Sequence, residues 1–309
     1  DESFCKRYMS RLVKNITVTE SPEWMKSLLE SVGSRSINSI VDATNFVMLD
    51  TGQPLHAFDL DDIKYNKMTV KMAEEGEKFT TLDGVERTLT SDMLVIGNQD
   101  KTLDLAGIMG GENSEIKDTT TSIFIEGASF AKENIRATSK KLGLRTEASS
   151  RFEKGIDINL AEEAVNRACQ LIEELGCGTV LNGMLDYYPQ KEEVQKVTVN
   201  PVRINKLLGV NVPMDQFINI LESLEFKCNL VSSEVLELEV PTFRLDITED
   251  ADILEEIARI YGYDNIPSAS LEGNATAGVK TEKQKFIDNV KSNSIACGLN
   301  EILTYSFVS

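Results

Sequence analysis

The sequence is poor in the residues that mark several common classes of protein. Its 309 residues contain a single histidine, His56, and five cysteines that are odd in number, widely spaced and never in a C-x-x-C pair. Such cysteines are typical of reduced thiols in a cytosol, so we expect a cytoplasmic location. No serine or cysteine stands beside His56 in the sequence as an obvious nucleophile, which leaves a catalytic triad without support.

Long hydrophobic runs and an export leader are also missing. The longest apolar runs, such as Met93 to Ile96, are far too short to cross a bilayer, and no basic segment followed by an apolar one opens the chain. We therefore expect a soluble protein with no membrane partner. The chain starts at Asp1 rather than at a methionine and breaks off inside a largely apolar stretch, so we expect a longer parent chain.

Positive charge is scarce, because 32 basic residues stand against 50 acidic ones and the net charge is -18. Phosphate binding depends on clustered Lys and Arg, so this balance argues against a broad nucleic-acid surface. The stretch 132–154 is a local exception, with seven basic residues against three acidic. Any contact with RNA is therefore expected to be local, and the plain alternative for this stretch is a solvated helix face.

The length is about twice that of a usual domain, which predicts two or three modules rather than one core. In the first module, Ser21-Pro22-Glu23 predicts a helix with an N-cap serine, an apolar face at Leu28, Leu29 and Val32, and an end at Gly33. Residues 67–106 then change to short β-rich runs separated by turn residues, which predicts a sheet built from hairpins.

Three further features complete the first module. Gly107, Gly110 and Gly111 predict a tight loop that a ligand can approach closely. The run 122–127 predicts a strand in which Glu126 shares a face with an aromatic side chain. A last helix, with a capping box formed by Asn159 and Glu162 and apolar positions at helical spacing as far as Gly176, is expected to end the module.

The segment 194–266 predicts a second module made of a strand, two helices, paired strands and a final helix. Asn200-Pro201 starts the first of these helices, Gly209 ends it, and another follows Pro213. This order is winged-helix-like. Winged helices often bind DNA, yet the segment holds six basic and 13 acidic side chains, so we exclude DNA as a partner on electrostatic grounds.

Four long motifs carry the strongest signal in the chain. They are Ser36 to Leu49 running into Gly52-Gln-Pro-Leu-His-Ala-Phe-Asp59, Gly107-Ile-Met-Gly-Gly-Glu112, Arg145-Thr-Glu-Ala-Ser-Ser-Arg-Phe-Glu-Lys-Gly155, and Pro241 to Pro267. The first three resemble the editing module of bacterial phenylalanyl-tRNA synthetase β subunits, and the fourth resembles the next module of that subunit. The resemblance covers nearly the whole chain, in the family's order, and implies an internal fragment of such a subunit.

The resemblance implies an editing pocket, which hydrolyses misacylated Tyr-tRNA(Phe), lined by residues at matching motif positions: Arg35, His56, Gly110, Glu126, Thr146 and Ala148. Without the resemblance, His56 is more simply a structural histidine and Glu126 a strand-edge glutamate. We hypothesise that Glu126 accepts the tyrosine phenol proton, while backbone around Gly110 and Thr146 to Ala148 holds the ester and a water. Arg136, Lys140 and Lys141 adjoin Thr146 and are candidates for guiding the acceptor end of the tRNA.

The resemblance also implies Mg²⁺ ligands at Asp246, Asp252, Glu255 and Glu256, in a site that involves the α subunit. Hard divalent ions take carboxylates of this kind. The spacing alone favours a solvated acidic helix, because Asp and Glu are common in a first helical turn. The resemblance places ATP and the aminoacylation site on the α subunit, so this fragment is not expected to bind ATP.

We therefore predict an α+β multidomain chain: a mixed α/β editing domain at 1–190, a winged-helix-like domain at 194–267, and the opening helix and strand of a class II synthetase-like domain at 270–309. The implied parent is phenylalanine-tRNA ligase, an α₂β₂ heterotetramer that binds tRNA(Phe), and this region would also help subunit assembly. The alternative is a non-catalytic scaffold or interface module that binds RNA without editing. A free-standing editing hydrolase is disfavoured, because the chain stops within a fold.

Overall fold

The structure is a computed structural model that describes residues 3–63, 67–98, 100–232, 234–268, 273 and 277–307. The chain divides into two compact units, Asp1–Ile266 and Pro267–Ser309. The predicted boundary between a first and a second module near residue 190 therefore falls inside the first unit. In the described ranges, no helix combines the length and the apolar character that crossing a membrane requires.

The first part of the larger unit is a mixed α/β arrangement, as its sequence pattern predicts. Its strands are β1 (Cys5–Lys14), β2 (Leu55–Asp59), β3 (Thr69–Met72), β4 (Lys78–Thr80), β5 (Glu86–Thr88), β6 (Leu94–Gly97), β7 (Thr102–Leu105), β8 (Met109–Gly110), β9 (Ser122–Phe130), β10 (Thr179–Val180) and β11 (Leu185–Tyr187). Its helices are α1 (Glu23–Ser31), α2 (Ser39–Thr51), α3 (Lys132–Leu142), α4 (Glu147–Phe152) and α5 (Leu160–Glu174).

A five-stranded antiparallel sheet organises this part, with the order β10-β1-β9-β2 and β11 paired to β1. Strand β9 lies at its centre and alternates as predicted. Ile123 and Ile125 are buried in the cluster that α2 and α5 cover, whereas Phe124 packs against the cluster on the other face. Because successive side chains of a strand point to opposite faces, Glu126 follows Phe124 to that second face.

The β-rich segment forms the predicted hairpin sheets. Strands β3, β6, β7 and β8 make a four-stranded sheet, and β4 pairs with β5 around the Asp83-Gly84 turn. Its apolar side chains join the cluster of Phe58, Phe130 and Phe152. The two sheets therefore share one core, and this core lies on the side of β9 that carries Glu126.

Helices α1 and α5 begin within one residue of their predicted starts, but the predicted side-chain caps do not form, because distant partners take Ser21 and Asn159. The Ser21 hydroxyl donates to the Asp42 carboxylate at 2.5 Å instead of capping α1, whose N-cap is Pro22. Asn159 has helical backbone angles and no capping hydrogen bond; its side-chain oxygen accepts from Arg7 and its amide nitrogen donates to Thr242.

Two further expectations for the first module also fail. The predicted apolar face of α1 is partly wrong: Leu29 is buried, but 51% of Leu28 and 63% of Val32 are exposed. Helix α5 does not end the module, because β10 and β11 follow it and return to β1. Arg7 on β1 fastens this return through a two-pronged contact with Asp186 on β11, at 3.0 and 2.9 Å.

The second part of the larger unit has the predicted order of elements. They are β12 (Lys196–Val199), α6 (Pro201–Leu208), α7 (Met214–Ser223), β13 (Lys227–Ser232), β14 (Val235–Glu239) and α8 (Asp250–Tyr261). The Asn200 side chain caps α6, and Gly209 ends it in the left-handed conformation. The strands form an antiparallel sheet in the order β12-β14-β13, with Phe217, Leu236 and Ile253 in its core. The winged-helix-like interpretation stays a prediction.

The smaller unit contains α9 (Glu282–Ala296), which starts with a capping box between Thr281 and Gln284. The predicted strand after this helix is absent from the described residues 297–307, and 308–309 lie outside them. The predicted domain start at 270 also lies outside the described residues.

Candidate functional site

A cavity of about 60 Å³ lies where β2, β7, β9, the glycine loop and α4 meet. It is larger than the roughly 10–15 Å³ that one water needs and much smaller than the roughly 300 Å³ of a typical ligand pocket. Only the tip of a ligand therefore fits inside it as it stands. Its lining is Pro54, Leu55, His56, Asp104, Gly107, Ile108, Met109, Gly110, Glu126, Phe130, Ala148 and Phe152.

Strand pairing brings the two chemically active side chains of the motifs together. His56 on β2 stands directly opposite Glu126 on β9 in the antiparallel register. Directly opposite residues have Cβ atoms roughly 5 Å apart and share a face, so both side chains line the cavity. The Glu126 Oε2 accepts a 2.8 Å hydrogen bond from the hydroxyl of Tyr8, a buried residue of β1.

A second buried carboxyl, that of Asp104 on β7, lines the same cavity. Each of the two acidic residues is only 4% exposed. Burial raises the pKa of Glu126 well above its usual value, and the charge of Asp104 raises it further. Burial likewise raises the pKa of Asp104 to about 7. Because removal from water disfavours a charged carboxylate, the two groups titrate as a pair well above the ordinary acid range.

His56 is held as a neutral imidazole. Burial lowers its pKa to about 4, and its Nε2 is buried without a hydrogen-bond partner among the described residues. The ring packs edge-on against Phe58, with the centroids 4.4 Å apart. On its other side it touches Gly110, where an added Cβ would lie 2.6 Å from the His56 Cε1. The glycine is therefore needed at this position to leave room for the imidazole.

Thr146 joins α4 to the glycine loop. Its hydroxyl donates to the carbonyl of Ile108 at 2.8 Å and accepts from the Ser149 amide at 3.0 Å, which makes it the N-cap of α4. Ala148, in the first turn of that helix, lines the cavity. The loop itself turns at Gly107, whose φ of 68° lies in the left-handed region. These contacts fix the wall of the cavity opposite β9.

The structure places most of the predicted pocket residues together. His56, Gly110, Glu126 and Ala148 line one cavity, and Thr146 adjoins it through Ile108. Arg35 does not line it: the residue is exposed, on the segment between α1 and α2. Asp42 holds that segment, accepting from the Ser36 hydroxyl at 2.6 Å and the Ile37 amide at 2.8 Å. The roles of all six stay predictions.

Sequence reasoning missed Asp104 and Tyr8. Asp104 is a lone acid in the otherwise apolar run Leu103-Asp104-Leu105, and this pattern is a signal for a buried carboxyl. Nothing in the sequence connects it to Glu126, because strand neighbours are set by topology. Tyr8 carries no local signal at all.

A larger open depression, of about 510 Å³, lies elsewhere on the first module and contains none of the predicted site residues. Several of its polar side chains already have hydrogen-bond partners within the depression. Thr102 donates to Glu77 at 2.5 Å, and Asn113 donates to the Thr102 carbonyl at 2.9 Å. We therefore give the smaller cavity more weight despite the difference in volume.

The four carboxylates predicted to bind Mg²⁺ do not form a metal site within the described part of the chain, where no group of three or more His, Cys, Asp or Glu could hold an ion. Asp246 pairs with Arg244 at 2.7 Å, and Glu256 pairs with the same arginine at 2.8 Å. Asp252 caps α8 by accepting the amides of Thr248 and Glu249, while Glu255 is exposed. Arginine and backbone amides thus occupy oxygens of three of the four carboxylates.

The basic stretch lies on α3 and on the turn that leads into α4. Arg136, Lys140 and Lys141 are exposed, and Lys141 bonds to Asp92 at 3.0 Å. Helix α3 ends at Gly143, three residues before Thr146. These exposed basic side chains lie close in sequence to Thr146 at the cavity wall, and their role stays a prediction.

The five cysteines are all unpaired. Cys5, Cys169 and Cys177 are buried, and burial raises the pKa of Cys5 to about 12 and that of Cys169 to about 11. These two thiols are therefore protonated and unreactive at neutral pH.

Comparison with known proteins gives three matches in chain order. The family model described as B3/4 domain matches residues 4–177, the tRNA synthetase B5 domain matches 197–263, and the phenylalanyl tRNA synthetase beta chain CLM domain matches 266–309. A solved N-terminal fragment of the phenylalanyl-tRNA synthetase beta-subunit from Pyrococcus horikoshii covers 83% of this chain and 71% of its own. Its 19% identity and TM-score of 0.39 are too low to bear on the fold.

Two curated relatives are much more similar in sequence. The phenylalanine–tRNA ligase beta subunit of Clostridium tetani is 49% identical over 308 residues, and that of Clostridium acetobutylicum is 46% identical over 308 residues. Each alignment covers 100% of this chain and 39% of the relative, so the chain spans about two fifths of their length. The B3/4 match alone takes in more than half of the chain. The chain therefore belongs to the B3/4 domain family and to the bacterial type of phenylalanyl-tRNA synthetase β subunit.

Proposed function

We propose that this region hydrolyses misacylated Tyr-tRNA(Phe) and so proofreads the product of phenylalanine-tRNA ligase. The observation that carries the proposal is the cavity, in which residues from three separate motifs converge on a buried glutamate. By analogy with the relatives, the whole protein is an ATP- and Mg²⁺-dependent ligase that works with an α subunit, as α₂β₂, on tRNA(Phe) in the cytoplasm. The same analogy gives the region a part in subunit assembly.

The need for such a site follows from the limits of binding selectivity. A synthetic pocket shaped for phenylalanine rejects a side chain that merely adds a hydroxyl by only roughly 100-fold. A site whose buried polar group requires that hydroxyl discriminates by roughly 10⁴ to 10⁵, because phenylalanine leaves the group unpaired. Glu126 is such a group, since it lies buried at the cavity with one oxygen, Oε2, held by Tyr8.

The cavity admits the hydroxyl tip of a tyrosine side chain, and the ester lies toward its mouth. The glycine loop and the start of α4 form that rim, and their backbone would hold the ester and a water. His56 is neutral with an unpartnered Nε2, so it can hydrogen-bond the water. A pKa of about 4 makes it a weak base at neutral pH, which favours positioning of the water over proton abstraction.

The test is deacylation of Tyr-tRNA(Phe) against Phe-tRNA(Phe) by the full heterotetramer, with and without Glu126→Ala. We expect selective loss of tyrosine with the parent enzyme and loss of that selectivity in the variant. Asp118→Asn, at an exposed acid outside the cavity, is the matched control and should behave as the parent. Equal tyrosyl hydrolysis by parent and Glu126→Ala would remove Glu126 from the proposed role.

The approach of the tRNA is tested separately by neutralising Arg136, Lys140 and Lys141 together. If these exposed side chains guide the acceptor end, the triple alanine variant should edit more slowly, and its rate should depend less steeply on salt. Unchanged salt dependence would instead fit a solvated helix face.

A second candidate is a scaffold module without editing activity. It is favoured by the acidic second module, where α8 carries the exposed Glu255 and the partly exposed Asp250 and Asp252 on a surface suited to packing against another chain. The Mg²⁺ ligands that the resemblance implies could belong to such an interface only if Asp246 and Glu256 first left Arg244. Absence of deacylation by the parent heterotetramer would favour this function.

A further inference from the structure

Asp104 is the one chemically active group of the cavity to which no motif assigns a role. It is 4% exposed, and its Oδ1 is buried without a hydrogen-bond partner among the described residues. It lies on β7 directly opposite Gly110, the glycine that touches the His56 ring. A buried carboxyl oxygen without a partner is costly, and one that lines a cavity is a position where a bound group can supply the missing hydrogen bond.

We propose that Asp104 is a second specificity-determining residue, which together with Glu126 forms a carboxyl pair that binds the hydroxyl of a tyrosyl group. This proposal rests on the proposed editing function and deepens it. The pair carries one proton between its two members in the neutral range, so that one carboxyl accepts the phenol proton and the other donates to the phenol oxygen.

The surroundings of the pair allow no more than one negative charge. Among the described residues, no lysine or arginine lines the cavity to neutralise a second one. The titratable groups that face it are Cys5 and Tyr8 on β1 and His56 on β2, and all three are uncharged at neutral pH because burial holds each in its neutral form. Two carboxylates in such a place repel each other, and one keeps its proton.

A phenol hydroxyl matches this half-protonated pair, because it is both a donor and an acceptor. Tyr8 already uses the Glu126 Oε2, which leaves the remaining Glu126 oxygen and the Asp104 Oδ1 for the ligand. A phenylalanyl group offers neither bond, so the remaining Glu126 oxygen and the Asp104 Oδ1 would gain no partner in its presence. Two unsatisfied groups instead of one raise the selectivity beyond what Glu126 alone could supply.

The test measures kcat/KM of the full heterotetramer for Tyr-tRNA(Phe) and for Phe-tRNA(Phe) deacylation, in the parent, Asp104→Ala, Asp104→Asn and Asp118→Asn. We expect Asp104→Ala to lower the tyrosyl over phenylalanyl ratio roughly 10-fold or more. Asp104→Asn should lose less, because its amide still donates to the phenol oxygen. Asp118→Asn should leave the ratio unchanged.

A second readout separates recognition from damage to the fold. In the parent, the ratio of the two rates should change with pH around 7, where the pair passes from two protons to the one shared proton, while the water chemistry common to both esters cancels. In Asp104→Asn that change should disappear or move to lower pH, because Glu126 then lacks a charged neighbour. The isosteric amide keeps the test informative if Asp104→Ala fails to fold.

The outcomes distinguish this proposal from the editing function on which it rests. An active parent whose selectivity and pH profile survive both Asp104 substitutions would refute the carboxyl pair and leave editing in place. An equal fall in hydrolysis of both esters would make Asp104 structural only, and would also overturn the proposal. A parent that hydrolyses neither ester would overturn both.

Discussion

The state of His56 is the most direct prediction, because this residue is the only histidine in the chain. Its imidazole has a pKa of about 4 in the folded protein, against 6.5 in an ordinary environment, and burial is the cause. The folded state therefore binds fewer protons than the unfolded state between these two values, so stability falls as the pH falls through this window.

The size of the effect follows from the difference of about 2.5 between the two pKa values. At roughly 1.36 kcal/mol per pKa unit, the free energy of unfolding should lose about 3 kcal/mol between pH 6.5 and pH 4, and about 2 kcal/mol of this by pH 5. Acidic groups titrate in the same range. Their contribution cancels in the difference in stability between the parent and His56→Gln, because the two proteins share every other titrating group.

The assay is urea unfolding of parent and His56→Gln at about pH 5 and about pH 7.5, followed by tryptophan fluorescence. The only tryptophan, Trp24 on α1, reports on the module that contains His56. The altered packing of Gln shifts the free energy of unfolding by the same amount at both pH values. The diagnostic quantity is therefore how much the difference in free energy of unfolding between parent and variant changes from about pH 7.5 to about pH 5. It should be about 2 kcal/mol.

Two results would refute this reasoning. Parallel pH curves for parent and variant would mean that His56 contributes no proton linkage. A ring-proton NMR signal of the single histidine that titrates near pH 6.5 would mean that the imidazole is solvated. Either result would also remove the neutral, water-positioning imidazole from the proposed site.

Three further substitutions test other contacts of the site. Gly110→Ala should lower the free energy of unfolding by about 1–3 kcal/mol, because the new Cβ would lie 2.6 Å from the His56 ring. Thermal unfolding should show no such loss for the control Gly278→Ala, where no atom lies within 4 Å of an added Cβ. Asp42→Ala should cost about 3 kcal/mol in urea unfolding, because the Ser21 and Ser36 hydroxyls and the Ile37 amide all lose their acceptor; a loss near zero would contradict this network. Tyr8→Phe should destabilise the protein by about 1–3 kcal/mol above neutral pH, because the Glu126 carboxylate loses the hydroxyl that donates to it. The same loss should raise the pKa of Glu126, and an infrared titration of the carboxyl that is unchanged in the variant would refute this.

The cavity combines features that cost stability and features that suit recognition. Glu126 and Asp104 have raised pKa values, so their contribution to stability is present below their unfolded pKa values and is lost as the pH rises through the folded ones. Replacing Asp104 by asparagine should therefore stabilise the protein more at alkaline than at acid pH. The proposed recognition by this pair would therefore come at a cost in stability.

Local patterns in the sequence correctly predicted much of the secondary structure. The alternation in β9 separated Ile123 and Ile125 from Phe124 and Glu126, because successive side chains of a strand face opposite ways. Asn200 and Gly209 marked the ends of α6, because an N-cap side chain and a left-handed glycine act on neighbouring backbone groups. The motifs identified the family, and four of the six predicted pocket residues meet in one cavity.

The tertiary structure alone decided which polar side chains that are far apart in the sequence form hydrogen bonds with one another. Ser21 and Asn159 had the local sequence of helix caps, yet Asp42 and Arg7 are closer and better partners in the folded protein. Asp104 became part of the site only because sheet topology carries β7 to the same cavity as β9. Sequence spacing determines which side chains lie on one face of a strand or helix. Burial and strand order determine which ionisable side chains line the same buried cavity.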